Sequence, residues 1–257
     1  MSEHIQVQNR EGRLSIRMNR PEQRNAITVA MYAALADAIE AAGSDASVRL
    51  ITLEGAGEDF TAGNDLADFL AEMPPPGTDI PVWRLLRALA KNEVPILAAV
   101  HGNAVGIGTT MLFHCDLVIA EEGSRFVMPF VDLGLVPEAA SSLLLPRLAG
   151  RRRAARYLLL GESFGAEEAM EFGLVSHVVP KGQLDSAVVS KVDALLAKPA
   201  EALRLTQRLL RHGNTEEILQ RIELENGHFG ERLNSDEVRQ AIANFFAARS
   251  AKAAPAA

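Results

Sequence analysis

Two glycine turns and one acid carry the chemistry that can be read from this chain. FTAGNDL, residues 60–66, passes from an apolar stretch through Gly63 into a helical pattern. AAVHGNAVGIG, residues 98–108, makes a similar passage through Gly106 and Gly108. Glycine permits unusual φ and lets a ligand approach the backbone closely. The first N–H groups of a helix lack intrahelical acceptors. Two such helix starts facing each other would hold a developing enolate oxygen between N–H donors, each worth about 2.7–4 kcal/mol in the transition state. The same glycines would equally serve plain strand-to-helix corners. The acid is Glu138, within LGLVPEAASS, residues 133–142. A carboxylate there is a candidate base, while Pro137 at N1 and Glu138 at N2 also read as a favoured helix start.

The elements that must position these residues follow from patterning. IQVQ and RLSIRMN alternate as strands around the Glu11-Gly12 turn, and Asn19-Arg20-Pro21 breaks the pattern. Thr28 caps a helix to about Ala42, with Met31, Leu35, Ala38 and Ile39 at helical spacing. VRLITLEGAG, PILAAV and DLVIAEE read as buried strands; DLADFLAEM, WRLLRALAKN and GIGTTMLFHC read as helices. MPPPGTDIP, residues 73–81, is too proline-rich for any regular element. Repeated strand–turn–helix units argue for an α/β layered domain. After Leu148 the pattern turns helical, with VSHVVP as a further strand. The expected organisation is an α/β core over residues 1–195, a helical region over 196–250 and a low-complexity, disordered tail over 251–257.

Composition narrows the class. A chain of 257 residues, 48% hydrophobic, can bury a sizeable core. Its net charge of −7 argues against a general nucleic-acid or anionic-membrane partner. The arginines at 151, 152, 153 and 156 read first as a solvated helix face, with an anionic ligand as the alternative. Cys115 is the single cysteine, which excludes an internal disulfide framework and makes a Cys-rich metal site implausible; its apolar surroundings suggest a buried, inert thiol. The N-terminal residues lack a signal-peptide apolar region, and no apolar run reaches membrane-spanning length, so the cytoplasm is the expected location. The histidines show no ligand spacing, and no metal is expected.

FTAGNDL and AAVHGNAVGIG, with PEQRNAI at residues 21–27, resemble the motifs of the enoyl-CoA hydratase/isomerase (crotonase) superfamily in order and separation. The resemblance covers about residues 5–190. It implies a β-β-α spiral core with a C-terminal helical trimerisation region, a homotrimer or hexamer, and an acyl-CoA thioester as substrate. CoA is then part of the substrate and no separate cofactor is implied. The implied oxyanion donors are the N–H groups of Asn64 and Ile107. Arg24 is the implied phosphate contact, with Ala26, Ala62 and Leu66 along the adenine and pantetheine path, and Gly63, Asp65 and Gly106 beside it. Phe245 and Lys252 lie where family trimers complete a neighbour's site. Phe69, Trp83, Met111 and Phe130 are candidate pocket walls, although such residues are core in most proteins.

Which acids are present then selects a reaction. Family hydratases use two glutamates, and the matching positions here hold Thr110 and Phe130, neither able to activate water as a carboxylate would. Asp116 and Asp132 match positions the family does not use for chemistry, and Asp116 reads as a strand-end cap. Glu138 sits where the family's Δ3,Δ2-enoyl-CoA isomerases keep their proton shuttle. The resemblance therefore implies a 3-enoyl-CoA to 2-enoyl-CoA isomerase with Glu138 as its one base. The alternatives are a hydratase-like lyase or hydrolase on a CoA thioester, or a non-catalytic acyl-CoA-binding protein. Burial beside an acyl chain would raise the Glu138 pKa and a helix N-terminus would lower it.

Overall fold

The computed structural model describes residues 2–71 and 79–253. Its strands are β1 (Ile5–Arg10), β2 (Arg13–Met18), β3 (Leu50–Gly55), β4 (Ile96–Val100), β5 (Asn103–Val105), β6 (Leu117–Glu121), β7 (Arg125–Val127), β8 (Phe164–Gly165) and β9 (His177–Val179). The first helices are α1 (Val29–Ser44), α2 (Leu66–Ala71), α3 (Pro81–Lys91), α4 (Ile107–Thr110) and α5 (Ser141–Ala149). Then come α6 (Arg151–Leu159), α7 (Ala166–Glu171), α8 (Leu184–Leu196), α9 (Ala200–Arg211), α10 (Thr215–Leu233) and α11 (Asp236–Ala253).

The larger sheet has the order β1-β2-β3-β4-β6-β9; only the β1–β2 pair is antiparallel. β4 is buried at all five residues, as a central parallel strand covered on both faces must be. One face packs on α1 and α3; the other, through Leu50, Leu97 and Ile119, packs on Leu184, Val188 and Val192 of α8. Thr28 caps α1 through the Met31 N–H at 3.3 Å, and Pro81 opens α3, where its missing N–H costs nothing.

The second sheet, β5-β7-β8, was not visible in the sequence because its strands are two or three residues long. The chain leaves β4, passes Gly102 and enters β5 almost at once. GIGTTMLFHC is not one helix: α4 ends at Thr110 and a 3-10 turn, Met111–His114, follows. α11 runs to Ala253, three residues into the stretch read as a disordered tail, and residues 254–257 lie outside those described. So does most of the 73–81 loop, whose last residue, Pro81, already belongs to α3. Among the described residues no helix is long and apolar enough to cross a membrane.

Candidate active site

The first glycine turn is anchored by Asn25, fully buried and left-handed at φ 55°. Its carboxamide donates to the carbonyls of Ala56 at 2.7 Å and Asp59 at 2.8 Å and accepts from the Arg20 N–H at 2.9 Å. Asn tolerates this backbone region better than most residues. Beyond it, Ile27 bridges Asn64 in parallel: the Ile27 N–H reaches the Gly63 carbonyl and the Asp65 N–H reaches the Ile27 carbonyl. Successive groups along an extended chain point opposite ways, so the intervening Asn64 N–H is turned away from this bridge. Thr61 bridges Ala104 and so fastens the first turn to β5 and the second turn.

Gly106 turns the chain out of β5 at φ 55°, ψ −117°, a conformation only glycine takes readily. Its carbonyl receives the N–H groups of Thr109 and Thr110 at 2.9 and 3.0 Å. Ile107 opens α4 with its side chain buried and no positive φ. Among the described residues neither the Asn64 nor the Ile107 N–H has an acceptor. These are the two N–H groups that the family resemblance implies as oxyanion donors. Gly63 keeps the turns close: at φ 82°, a Cβ there would sit 2.6 Å from the Val105 carbonyl oxygen. Gly63→Ala is expected to displace the Asn64 N–H and lower kcat/KM about 100-fold, the scale of one lost oxyanion donor, with the fold retained by circular dichroism. A variant within threefold of wild type would remove this turn from the chemistry.

Glu138 is not at a helix N-terminus. Ala139 and Ala140 are both left-handed, at φ 60° and 56°, and α5 starts only at Ser141. The Pro-Glu helix start expected from the sequence is therefore replaced by a strained turn. Two side chains hold it: His114 Nε2 meets the Ala139 carbonyl at 2.9 Å, and Glu225 of α10 accepts from the Ala140 N–H at 2.6 Å and the Ser142 N–H at 3.0 Å. His114 is buried, and desolvation pushes its pKa down to about 4, so at neutral pH the ring is uncharged and donates from Nε2. Neither His114 nor Glu225 was singled out in the sequence for this role.

The Glu138 carboxyl is 3% exposed. Burial pushes its pKa up to about 8, aided by the nearby Glu225 charge and opposed by the Thr110 hydroxyl, which donates to Oε1. Burial thus outweighs any helix contribution. Thr110, which the resemblance aligns with the first hydratase acid, donates to this carboxyl. Removing that donor by Thr110→Val is expected to move the acidic limb of the kcat/KM profile up by about one pH unit, the worth of one charge-assisted hydrogen bond. A pH–rate profile checks this, and an unmoved limb would deny that the hydroxyl stabilises the ionised base. Oε2 has no partner among the described residues. Tyr32, fully buried, donates to the Asn64 side chain and lies close enough to Glu138 for that charge to help burial raise the phenol pKa. Glu138 and the Asn64 turn thus share one neighbourhood.

A groove of about 580 Å³ is lined by Arg24, Ala26, Ala62, Asn64, Asp65 and Leu66, among others. The proposed CoA path is therefore one surface, while Gly63 and Gly106 shape the turns beneath it without lining it. The Arg24 side chain is 73% exposed and stands 3.7 Å from Asp59, available to a phosphate. Asp65 has other work: it meets Arg20 at 2.6 Å and caps α2 at the N–H groups of Ala67 and Asp68, both 3.2 Å. Burial raises its pKa, but these bonds outweigh that and leave it below the ordinary value.

On the far side, Phe229 of α10 packs edge-on against Trp83 at 5.5 Å and Phe130 at 6.4 Å. Met111 belongs to the same buried core. The side chains of Phe69, Phe245 and Lys252 lie outside the described residues. Asp116 is structural, accepting from the Ile96 N–H at 2.8 Å and from Gln207 at 2.8 Å. Asp132 is exposed on a 3-10 turn. The Cys115 thiol is pushed well up by burial and by Asp116, which leaves it unreactive. Arg153 and Arg156 pair with Glu171, Glu162 and Glu168 on the surface. Among the described residues no cluster could hold a metal ion.

Two backbone N–H groups without acceptors among the described residues and a buried carboxyl of raised pKa share one neighbourhood, an arrangement that can carry out proton transfer next to a held oxyanion. The enoyl-CoA hydratase/isomerase family matches residues 8–253. The chain is 34% identical over 256 residues to 1,2-epoxyphenylacetyl-CoA isomerase of Escherichia coli (strain K12), covering 97% of this chain and 98% of that one. It is 32% identical over 255 residues to human enoyl-CoA delta isomerase 2, covering 96% of this chain and 64% of that one. A crystal structure of an enoyl-CoA hydratase/isomerase from Pseudoalteromonas atlantica T6c superposes with a TM-score of 0.90 at 39% identity, over 95% of this chain and 97% of that one. The chain belongs to the enoyl-CoA hydratase/isomerase family, enzymes of CoA thioesters, and has the crotonase fold expected from its motifs.

Proposed function

We propose that the protein is an acyl-CoA isomerase that converts a 3-enoyl-CoA to a 2-enoyl-CoA. The observation that carries this reading is the buried Glu138 carboxyl, whose Oε2 has no partner among the described residues, with Thr110 and Phe130 where the resemblance would place a hydratase's acids. Hydration needs a group to activate water; a shift of the double bond needs only one base. The thioester oxygen lies between the Asn64 and Ile107 N–H groups. Glu138 takes a proton from C2, and the electron pair of that C–H bond conjugates into a dienolate whose negative oxygen the two N–H groups hold. The same carboxyl returns the proton at C4, which leaves the bond between C2 and C3. No electron leaves the substrate, so the step calls for no redox cofactor, and the oxyanion donors do the work a Lewis acid would do. Arg24 and the Ala26, Ala62 and Leu66 groove hold the CoA portion.

The active unit is a homotrimer or a pair of trimers in the cytoplasm. Support for assembly comes from Leu209 and Leu210 on α9 and Leu159 at the end of α6, all more than 60% exposed. The test of the function is to supply a 3-enoyl-CoA and, separately, a 2-enoyl-CoA, and to follow the absorbance of the conjugated thioester. Growth from the 3-enoyl substrate supports the isomerase. Loss from the 2-enoyl substrate, with no growth from the other, makes the protein a hydratase and ends the single-base reading.

A further inference from the structure

Asn64 carries more than its backbone N–H. Its side-chain oxygen accepts from the Tyr32 hydroxyl. Tyr32 lies on the buried face of α1, and a buried phenol needs such a partner. Burial, aided by the nearby Glu138 charge, raises its pKa well above the ordinary value, so the hydroxyl stays protonated and donates. The outer torsion of an asparagine is broad when nothing holds it. Here one end of the carboxamide is tied inward, which leaves the amide nitrogen and its two N–H donors at the other end.

That nitrogen has no acceptor among the described residues. Nor is it sealed: the buried side-chain atoms without partners belong to Arg49, Glu138, Ser141, His177 and Asn226, whereas Asn64 is only half-buried. Asn64 lines the groove of about 580 Å³ that also holds Arg24, Ala26, Ala62 and Leu66. A pair of donors therefore opens onto the groove within one side chain's length of the oxyanion turn. A CoA thioester whose carbonyl oxygen meets the Asn64 N–H continues from its sulfur through two methylenes to an amide. The carbonyl of that amide is the first strong acceptor beyond the sulfur. Ala26, Ala62 and Leu66 offer it no side-chain donor; Asn64 does.

We propose that the Asn64 side-chain amide binds the carbonyl of the CoA amide nearest the sulfur, with Tyr32 as the positioning residue that aims it. This rests on reading the groove as the CoA path and adds a recognition residue to it. One residue then holds the substrate on both sides of the sulfur, by its backbone N–H on the thioester oxygen and by its side chain on the CoA arm. A thioester without that amide keeps the first contact and loses the second.

Binding tests the proposal separately from catalysis. Calorimetry on the full-length protein compares a saturated acyl-CoA, which has no double bond to move, with the same thioester carrying two methylenes in place of that amide. Wild type is expected to prefer the natural thioester by about tenfold or more, the scale of one neutral hydrogen bond. Asn64→Leu keeps the backbone N–H and is expected to shrink the preference about tenfold. Tyr32→Phe is expected to weaken the natural thioester severalfold, to leave the analogue unchanged, and to add nothing in the Asn64→Leu background. An equal preference in wild type and Asn64→Leu overturns the proposal. So does a Tyr32→Phe protein that loses affinity for both thioesters alike, because packing alone would do that. Should leucine prevent folding, Asn64→Ala decides the same comparison. No binding of either thioester removes the CoA path and the proposal together. Full preference for the natural thioester, with no conjugated product from a 3-enoyl-CoA, would count against the isomerase alone, since these titrations do not depend on turnover.

Discussion

Glu138→Gln is expected to lower the rate of 3-enoyl-CoA isomerisation by about 10³-fold, within the span a positioned base supplies, while the folded protein is retained. The amide keeps the shape and can still accept from Thr110, but it cannot take a proton from C2. The same substitution is expected to stabilise the protein in alkali. The carboxyl titrates near pH 8 in the folded chain against an ordinary value of 4.5. Between those values the native chain holds a proton that the unfolded chain has released, so stability falls as pH rises through the window and stays reduced above it. At about 1.4 kcal/mol per unit, the loss is on the order of a few kcal/mol, a shift of several degrees for a chain of this size. His114 acts the other way: its pKa is held down near 4, so stability is lost as pH falls below about 6.5. That contribution is common to both proteins and cancels in their difference. Melting curves at pH 5 and pH 9 check the point: the variant gains over wild type at pH 9 and little at pH 5. A variant that isomerises within tenfold of wild type would remove Glu138 from the mechanism.

Much of this site was legible because it depends on local sequence. Gly63 and Gly106 mark backbone that other residues resist, and Glu138 stands in a short motif beside two positions that lack acids. Long apolar runs such as PILAAV gave the central strands, because a strand buried on both faces needs nothing else. What escaped depended on distant partners or on strain. β5, β7 and β8 are too short to show a period. Two alanines give no sign of left-handed backbone, which usually calls on glycine or asparagine, so the Pro-Glu pair read as a helix start. The residue that makes that turn possible, Glu225, is 85 positions from the N–H it holds. A glutamate inside an amphipathic helix reads as surface, and only the fold turns it inward. Asn25 shows the opposite case: its motif was visible, but the three carbonyls it gathers from 31, 34 and 35 residues away were not.

Glu225 carries the last prediction, because strain and catalysis meet there. Each left-handed alanine costs about 1 kcal/mol or more, and the turn persists because Glu225 and His114 fix both sides of it. Glu225→Ala leaves the Ala140 N–H and Ser142 N–H without their acceptor, at roughly 1–3 kcal/mol each. A lower melting temperature is expected, with a fall in kcat of about 100-fold, the scale of an ångström's misplacement of a catalytic group. Loss of structure alone would give the same direction, so Glu225→Gln separates the two. The amide keeps one oxygen for the turn but removes the negative charge that helps hold the Glu138 pKa up. The acidic limb of kcat/KM is therefore expected to move to lower pH, opposite to Thr110→Val. A support that acted only by packing would change the height of the profile and leave the limb where it is. Limbs that moved the same way in the two variants would mean that the carboxylate on α10 does not set the charge state of the base.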